Sequence, residues 1–204
     1  MLSINPKDQT ERENYKLLTG TVIPRPIAFI TTKSTEGTLN GAPFSYFNIV
    51  SSNPPMLSVS IQRKDGKMKD TAKNIYDTQE FVVHITDHDN VEPFNAAAAN
   101  LPSNVSEIEL TKLTPVESEL VSVPGVKEAK VRFECKLVQA IPLGSNNEGE
   151  PSCDLFVGEV VLVHLDEKIY DNTYIKAREL HAVSRLAGNH FATIGNIFSL
   201  QRPE

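Results

Sequence analysis

The sequence has few of the features that mark metalloproteins, secreted proteins and membrane proteins. Its 204 residues contain two cysteines, Cys135 and Cys153, and no tryptophan. The cysteines form no C-x-x-C pair, and no set of histidine or carboxylate partners accompanies them at ligand spacing, which predicts free thiols and no metal site. No apolar stretch is long enough to cross a membrane, and residues 1–15 are too polar for a secretory signal. These features predict a cytoplasmic protein.

Several catalytic signatures are also missing. The sequence has no G-x-G-x-x-G or Walker phosphate loop, no G-x-S-x-G nucleophile elbow and no H-E-x-x-H metal motif. The formal net charge of −6 and the pI of about 5.4 argue against broad binding to nucleic acid or anionic lipid. An anionic ligand would therefore need a local basic cluster or backbone amides. The histidines, which form no compact ligand pair, are His84, His88, His164, His181 and His190.

Hydrophobic spacing predicts several strands. In residues 129–137 apolar side chains alternate with charged ones, which predicts a strand with one face in the core. In residues 155–165 apolar side chains fall on both faces, which indicates a strand in a barrel or at a dimer interface. A polar, turn-rich loop joins the two segments as a hairpin. Three further strands are predicted at residues 27–32, 56–61 and 80–86.

Helix signals are fewer and do not alternate regularly with the strands. This order argues against a parallel sheet and predicts a mainly β domain over residues 1–204, a closed or partly closed antiparallel barrel with flanking helices. Residues 112–126 contain two prolines and predict an irregular connection. The predicted helices cover residues 9–19, with an end at Gly20, a segment capped by Asp70 or Thr71 that runs to about Thr78, and residues 88–100.

Two proline-containing segments are candidates for ligand binding. In residues 23–32 two prolines flank Arg25, so the backbone is stiff and holds Arg25 just before a strand, where Thr31 and Thr32 then offer hydroxyls. In residues 40–47 small residues allow a close approach of the backbone to a bulky group. That second segment is either a surface for a flat ring or a tight turn with core aromatics. Its candidate residues are Ala42, Pro43, Phe44 and Ser45.

A basic run precedes the second predicted helix in this otherwise acidic chain. Arg63, Lys64, Lys67 and Lys69 stand before a helix N-terminus, which presents free amides and suits a phosphate. Lys69 and Thr71 are the best placed to reach such a group. The alternative interpretation is a solvated charged loop.

Two other features allow a functional and a structural interpretation. One face of the strand at residues 56–61 carries Ser58 and Ser60, which either meet water or leave room for a flat ligand. In residues 184–192 a Gly-Asn turn projects His190 and Phe191, which either cover a flat ring or pack the C-terminus.

Taken in order, these segments resemble the flavin reductase-like family with an FMN-binding split barrel, in particular the branch of nitrilotriacetate monooxygenase component B. The resemblance spans about residues 10 to 202. Each motif is weak alone, and their common order carries the identification. The matching segments are residues 24–28, 40–45, 53–55, 69–74, 80–83, 158–160 and 185–190.

This resemblance implies a six-stranded antiparallel Greek-key split β-barrel and a homodimer with FMN near the subunit interface. It implies that Arg25, Lys69 and Thr71 face the phosphate and the ribityl chain. His190 would lie where the nicotinamide approaches, and Phe191 replaces a tyrosine of many relatives, so that hydroxyl is missing here. The residues implied to line the isoalloxazine are Thr31, Thr32, Ala42, Pro43, Phe44 and Ser45, with Ser60, Asp70 and Asn74 as further candidates.

The function implied by the resemblance is hydride transfer from NADH or NADPH to flavin, which could supply reduced flavin to a separate monooxygenase. Two alternatives stay open from the sequence. One is an FMN flavoprotein that passes electrons to a protein or ferric partner, and the other is a flavin- or haem-binding module without turnover. Fold analogy alone does not separate them, because function depends on the site.

Overall fold

The structure is a computed structural model that describes residues 1–99, 101–102, 105–145 and 149–203. Two short 3-10 helices, Pro6–Asp8 and Glu167–Ile169, accompany the α-helices. None of the described helices is long and apolar enough to cross a membrane. The α-helices are α1 (Glu11–Thr21), α2 (Asp70–Thr78), α3 (Val91–Ala96), α4 (Glu107–Thr111) and α5 (Ala177–Leu180).

The strands in the described residues are mostly antiparallel partners in one large sheet. The two longest, β9 and β10, pair along most of their length and form the predicted hairpin, although residues 146–148 of its loop lie outside the described residues. The strands are β1 (Arg25–Pro26), β2 (Ala28–Lys33), β3 (Leu39–Phe44), β4 (Phe47–Ser52), β5 (Pro55–Gln62), β6 (Glu80–Ile85), β7 (Pro115–Val116), β8 (Gly125–Val126), β9 (Val131–Leu143), β10 (Cys153–Leu165), β11 (Tyr170–Asp171), β12 (Tyr174–Ile175), β13 (Val183–Arg185) and β14 (Phe191–Thr193).

The large sheet curls into a split barrel. In the described residues its order is β3-β2-β6-β9-β10-β5-β4, and every pairing is antiparallel. Strands β3 and β4 lie at opposite edges of this sheet, yet only Ser45 and Tyr46 join them along the chain. The sheet must therefore bend round until its two edges meet. The prediction of an antiparallel barrel is confirmed, whereas the sheet has seven strands and not six.

Residues 40–47, for which one interpretation was a tight turn, instead belong mostly to two strands, β3 and the start of β4. Gly41 lies inside β3, and a Cβ atom there would lie 2.5 Å from Ile108 Cδ1 and 2.7 Å from Phe29 Cζ. The glycine thus lets two core side chains pack against the strand backbone. The bulky groups that the backbone of this segment approaches are therefore side chains of the protein's own core.

The barrel interior is the main hydrophobic core. Alternate residues of each strand point inward, as in β5, where Leu57, Val59 and Ile61 are buried and the residues between them are not. Phe81 and Phe156 are also fully buried in this cluster, and helix α2 covers it with Ala72 and Ile75. The outer face of β5 lies outside this core and is therefore available for contacts other than core packing.

Helix boundaries follow local hydrogen bonds that the hydrophobic spacing does not report. A capping box between Thr10 and Glu13 begins α1, which then continues through Gly20 to Thr21. Helix α2 has Lys69 at its N-cap without a side-chain cap bond. The prediction that Asp70 or Thr71 caps α2 is therefore wrong.

The third predicted helix is shorter than expected. It begins at Val91 because Asp87 Oδ1 accepts hydrogen bonds from the backbone N–H of Asp89 and Asn90, at 2.8 and 3.2 Å, and forms a turn first. It ends at Ala96, and residue 100 lies outside the described residues. The irregular segment at 112–126 is confirmed apart from the two-residue pair of β7 and β8.

A second, three-stranded sheet joins the C-terminal segment to the barrel. Its order is β1-β13-β14, and Arg25 pairs with Arg185, which in turn pairs with Phe191. Strand β1 leads directly into β2 of the barrel, so this small sheet is held at one end of the large one. This sheet brings Arg25 close to residues 185–191, which lie far from it in the sequence.

Candidate functional site

A cavity of about 370 Å³ lies where the two sheets, α1 and α3 meet. Its volume is within the range of small-molecule sites. It is walled by the outer face of β5, the β3–β4 connection, the start of α2, the end of β6, α3 and the small sheet. The sequence predicts thirteen site residues. Six of them line this cavity: Arg25, Pro43, Phe44, Ser45, Ser60 and Lys69.

Lys69 supplies positive charge to the cavity. Its Nζ lies 5.6 Å from the centroid of the Phe44 ring, which also lines the cavity. The pKa of Lys69 is lowered from its ordinary value, first by desolvation and then by the charge of Lys64. Lys64 therefore lies close enough to strengthen the local positive potential.

Arg25 is a second cation on the wall, and its guanidinium is held by backbone carbonyls. It donates to Thr19 O at 2.8 Å and Leu186 O at 2.9 Å, and it also donates to Val22 O. Its Nε lies 3.5 Å from the Ser45 hydroxyl. No carboxylate of the described residues pairs with it. Arg25 thus clamps α1 and the C-terminal segment and keeps an uncompensated charge at the cavity.

The outer face of β5 forms the floor of the cavity. Ser60 and Gln62 line it, while their neighbours Val59 and Ile61 point into the barrel core. Ser60 pairs with Leu155 of β10 across the sheet. Ser60 thus borders a cavity, and its contact with a flat ligand stays a prediction.

The α3 side of the cavity is mostly apolar, and sequence analysis missed it. Ile27, Val91 and Phe94 line this wall together with Thr86 and Asn95. Phe94 is held by a parallel stack on Phe29, with ring centroids 4.0 Å apart. The sequence predicts this helix. Its hydrophobic face is typical of core packing, so nothing in the sequence indicates that this face borders a ligand site.

Several nominated residues do not line the cavity. The Thr31 hydroxyl donates to Pro124 O at 2.8 Å, and Ala42 packs against the barrel core. Asp70 stands in the first turn of α2. The remaining three, Thr32, Thr71 and Asn74, are buried in a polar network.

This network joins α2 to the barrel and to α4. Thr71 donates to Asn40 Oδ1 at 3.0 Å, and Asn74 donates to Thr32 Oγ1 at 3.1 Å. Asn40 in turn donates to Glu107 at 2.8 Å. The network fixes the position of α2 and thereby of Lys69 at its N-cap. These side chains position the basic end of the site without reaching into it.

In the basic run before α2, Arg63 is paired within the fold, and no carboxylate of the described residues forms an ion pair with the three lysines. Arg63 forms a two-pronged ion pair with the buried Asp154, with both N–O distances at 2.8 Å, and Tyr76 donates to the same carboxylate. This pairing raises the pKa of Arg63 and holds its charge within the fold. Lys64, Lys67 and Lys69 are exposed and remain for an external anion.

The predicted turn near residue 188 adjoins the cavity. Gly188 has a φ of 60°, and the backbone N–H of Leu186 donates to His190 O at 3.0 Å, which closes the turn. Phe191 lines the cavity, and its ring lies 4.5 Å from the guanidinium carbon of Arg185, another lining residue. His190 is exposed and next to this wall, which argues against a role in core packing.

A second cavity of about 640 Å³ adjoins the first and is also lined by Phe191. It shares Val91, Asn95 and Phe191 with the first cavity and is bounded beyond them by Val183 and His88. The two spaces are thus neighbours with common walls.

The buried ionisable groups elsewhere have structural partners. His84 accepts a hydrogen bond from Val126 N and donates to Phe29 O, both at 2.9 Å, and burial lowers its pKa to about 3. It is therefore neutral in the fold. Among the described residues, no group of three or more metal-ligating side chains could hold a metal ion.

Comparison with known proteins identifies related folds and a family. A family model described as flavin reductase like domain matches residues 19–184. The crystal structure of nitrilotriacetate monooxygenase component B from Bacillus cereus is 58% identical, with a TM-score of 0.96 over 98% of each chain. The 2-nitrobenzoate 2-nitroreductase NbaA of Pseudomonas fluorescens is 27% identical, with a TM-score of 0.88 over 99% of this chain and 96% of that one.

Among curated proteins, YwrF of Bacillus subtilis, which is uncharacterised, is 54% identical over 194 residues and 94% of each chain. The family match covers the barrel and nearly all of the cavity wall, and these relatives span almost the whole sequence. The chain therefore belongs to the flavin reductase-like domain family.

Proposed function

We propose that this protein binds FMN in the main cavity and catalyses its reduction by NADH or NADPH. The observation that carries the proposal is the composition of the cavity wall. Positive charge at Lys69 and Arg25 meets an aromatic and serine-lined surface made by Phe44, Ser45 and Ser60. A phosphate-bearing ligand with a flat ring needs this combination of groups.

The phosphate of FMN is expected at the N-terminal end of α2. Lys69 stands at the N-cap, with Lys64 nearby, and the first amides of the helix are unsatisfied by its own carbonyls. The two negative charges of the phosphate would offset this local basic cluster. Thr71 belongs to the same turn, although its hydroxyl is engaged by Asn40.

The ring of FMN is expected between the β-strand floor and the α3 wall. Pro43, Phe44 and Ser45 would contact one part of it, with Ser60 beneath. Flavin supplies the two-electron chemistry when bound, and the protein supplies binding, orientation and electrostatics. Apolar side chains such as Ile27 and Phe94 exclude water from the ring.

We further propose that the nicotinamide approaches from the side of Phe191. This residue lines both cavities, and His190 beside it is exposed and able to donate a hydrogen bond to a carboxamide. In this arrangement His190 orients the donor and need not transfer a proton. The hydroxyl that a tyrosine would offer at position 191 is absent from this chain.

Two features support a homodimer as the working form. The outer face of β10 beside Ser60 is half-buried and apolar at Leu155 and Val157, and the neighbouring edge strand exposes Ile49 at 74%. A second copy on this face would bury the apolar surface and cover the cavity mouth. The likeness to a monooxygenase component B also supports a separate oxygenase as recipient of reduced flavin, in the cytoplasm.

An anaerobic titration tests the proposal directly. The protein is mixed with FMN and then with NADH or NADPH, while the nicotinamide and flavin absorbances are followed. We expect oxidation of one or both nucleotides, dependent on the protein and on FMN. A yellow protein that neither nucleotide bleaches would instead indicate a flavin-binding module without turnover.

A further inference from the structure

Thr86 occupies a fixed position at the end of β6, where the barrel meets the small sheet. Its backbone N–H donates to Ile27 O at 3.1 Å, and its carbonyl accepts from Val183 N at 3.0 Å. Both backbone groups are therefore satisfied by the fold. The side chain adds nothing to this connection.

The hydroxyl of Thr86 is buried without a hydrogen-bond partner. The residue is 1% exposed, and its Oγ1 has no partner among the described residues. Such groups are rare in folded proteins because burial of an unsatisfied hydroxyl is unfavourable. Other buried threonine hydroxyls of this chain are satisfied, as for Thr31 with Pro124 and Thr71 with Asn40. The unsatisfied hydroxyl of Thr86 therefore requires an explanation.

Thr86 lines the main cavity on its α3 side. Its neighbours on that wall include Ile27, Val91 and Phe94, which offer no hydrogen bonds from their side chains. Such a wall suits the apolar body of a planar ring with a few polar atoms at its edge. Rotation about the Cα–Cβ bond of threonine exchanges hydroxyl and methyl between staggered positions, so the oxygen can turn to a ligand.

We propose that the Thr86 hydroxyl hydrogen-bonds the polar edge of the isoalloxazine ring and fixes its orientation in the cavity. This inference rests on the proposed function, because it takes flavin as the occupant. The basic end at Lys69 suits the phosphate, which leaves the apolar α3 wall for the ring. The free protein then carries an unsatisfied group that only the ligand satisfies.

The substitution Thr86→Val tests this proposal, because it should stabilise the flavin-free protein and weaken flavin binding. Valine keeps the shape and removes the unsatisfied hydroxyl, so the melting temperature of the flavin-free protein should rise by about 2–4 °C. The dissociation constants for FMN and riboflavin, from quenching of flavin fluorescence, should both increase by about three- to tenfold. Equal losses are expected because both ligands share the ring.

Two further variants serve as controls. Thr86→Ser keeps the hydroxyl and should retain flavin affinity. Thr78→Val removes a hydroxyl that donates to Asn74 O at 2.8 Å outside the cavity, so it should lower the melting temperature and leave affinity unchanged.

Four results would overturn the inference. Unchanged affinity of Thr86→Val for both flavins would remove Thr86 from the ring site, and a loss confined to FMN would assign the hydroxyl to the phosphate end. A lower melting temperature of the flavin-free variant would show that the hydroxyl is satisfied within the fold. Failure of the wild-type protein to bind either flavin would overturn the proposed function itself, and this inference with it.

Discussion

At the scale of the residue, Lys69 carries the distinction between FMN and flavins without a phosphate. Removal of its charge in Lys69→Ala should weaken FMN binding by about ten- to a hundredfold, because a charge-assisted contact is worth roughly 1.5–3 kcal/mol. Riboflavin binding should change little. Lys73→Ala, on the exposed side of the same helix, is the matched control and should leave both affinities intact. Equal losses for both flavins would exclude Lys69 from the phosphate site.

The lowered pKa of Lys69 adds a pH dependence to this contact. Desolvation and the Lys64 charge favour the neutral amine, so the ammonium form is lost at a lower pH than for an ordinary lysine with its pKa of 10.5. The affinity for FMN should therefore fall as the pH rises towards that value, and riboflavin affinity should not follow it. The wild-type protein and Lys69→Ala should converge at high pH.

Substitution of His190 tests the side of the site where the nicotinamide nucleotide is proposed to bind. His190→Ala should reduce kcat/KM for the nicotinamide nucleotide by about tenfold or more, because orientation governs hydride transfer. FMN affinity and melting temperature should stay close to wild type, since the side chain is exposed. Asn189→Ala in the same turn is the control. Normal turnover combined with a lower melting temperature would make His190 a structural residue.

At the scale of the element, one buried carboxylate holds the segment after β7 to the barrel. Glu134 of β9 accepts hydrogen bonds from the backbone N–H of Glu119 at 2.8 Å and Leu120 at 2.6 Å, and from His164 Nε2 at 2.7 Å. Burial alone would raise the pKa of Glu134, but the hydrogen bonds from His164 and the two backbone groups lower it. The carboxylate is therefore ionised in the folded protein.

Glu134→Gln should destabilise the protein by about 1.5–3 kcal/mol at neutral pH, because an amide replaces one acceptor oxygen with a donor. A carboxyl whose folded pKa is depressed stabilises the fold above its unfolded pKa near 4.5, and that contribution is lost as the pH falls through the folded value. Melting curves should thus show the difference between the two proteins narrowing below about pH 4.5. A constant difference at all pH values would contradict an ionised Glu134.

At the scale of the whole molecule, the exposed apolar face next to the cavity predicts self-association. Light scattering at micromolar concentration should give twice the chain mass of 22.6 kDa. Ile49→Lys should shift the protein towards monomer without loss of melting temperature in that form, because Ile49 is 74% exposed in the single chain. Leu110→Lys on α4, 58% exposed, is the control. A monomeric wild-type protein would remove the partner copy from the cavity mouth.

The sequence by itself determined much of the barrel. Alternation in residues 129–137 and the apolar run in 155–165 correspond to the long hairpin of β9 and β10, because a period of two is the repeat of a strand. The prediction that the charged face of 129–137 meets water is wrong at Glu134, which is fully buried. The N-terminal helix follows from a local capping box of Thr10 and Glu13. The basic residues before α2 also stand at a helix start, as their order along the chain indicated.

Only the tertiary structure decided which of the candidate side chains face the cavity. Arg63 is neutralised by Asp154, and Thr31 is satisfied by Pro124, partners separated by about ninety residues in each case. The unsatisfied hydroxyl of Thr86 and the α3 wall likewise depend on how the small sheet meets the barrel. Hydrophobic periodicity reports burial of a face within one element, whereas hydrogen-bond partners are set by the packing of distant elements, which leaves no local signature.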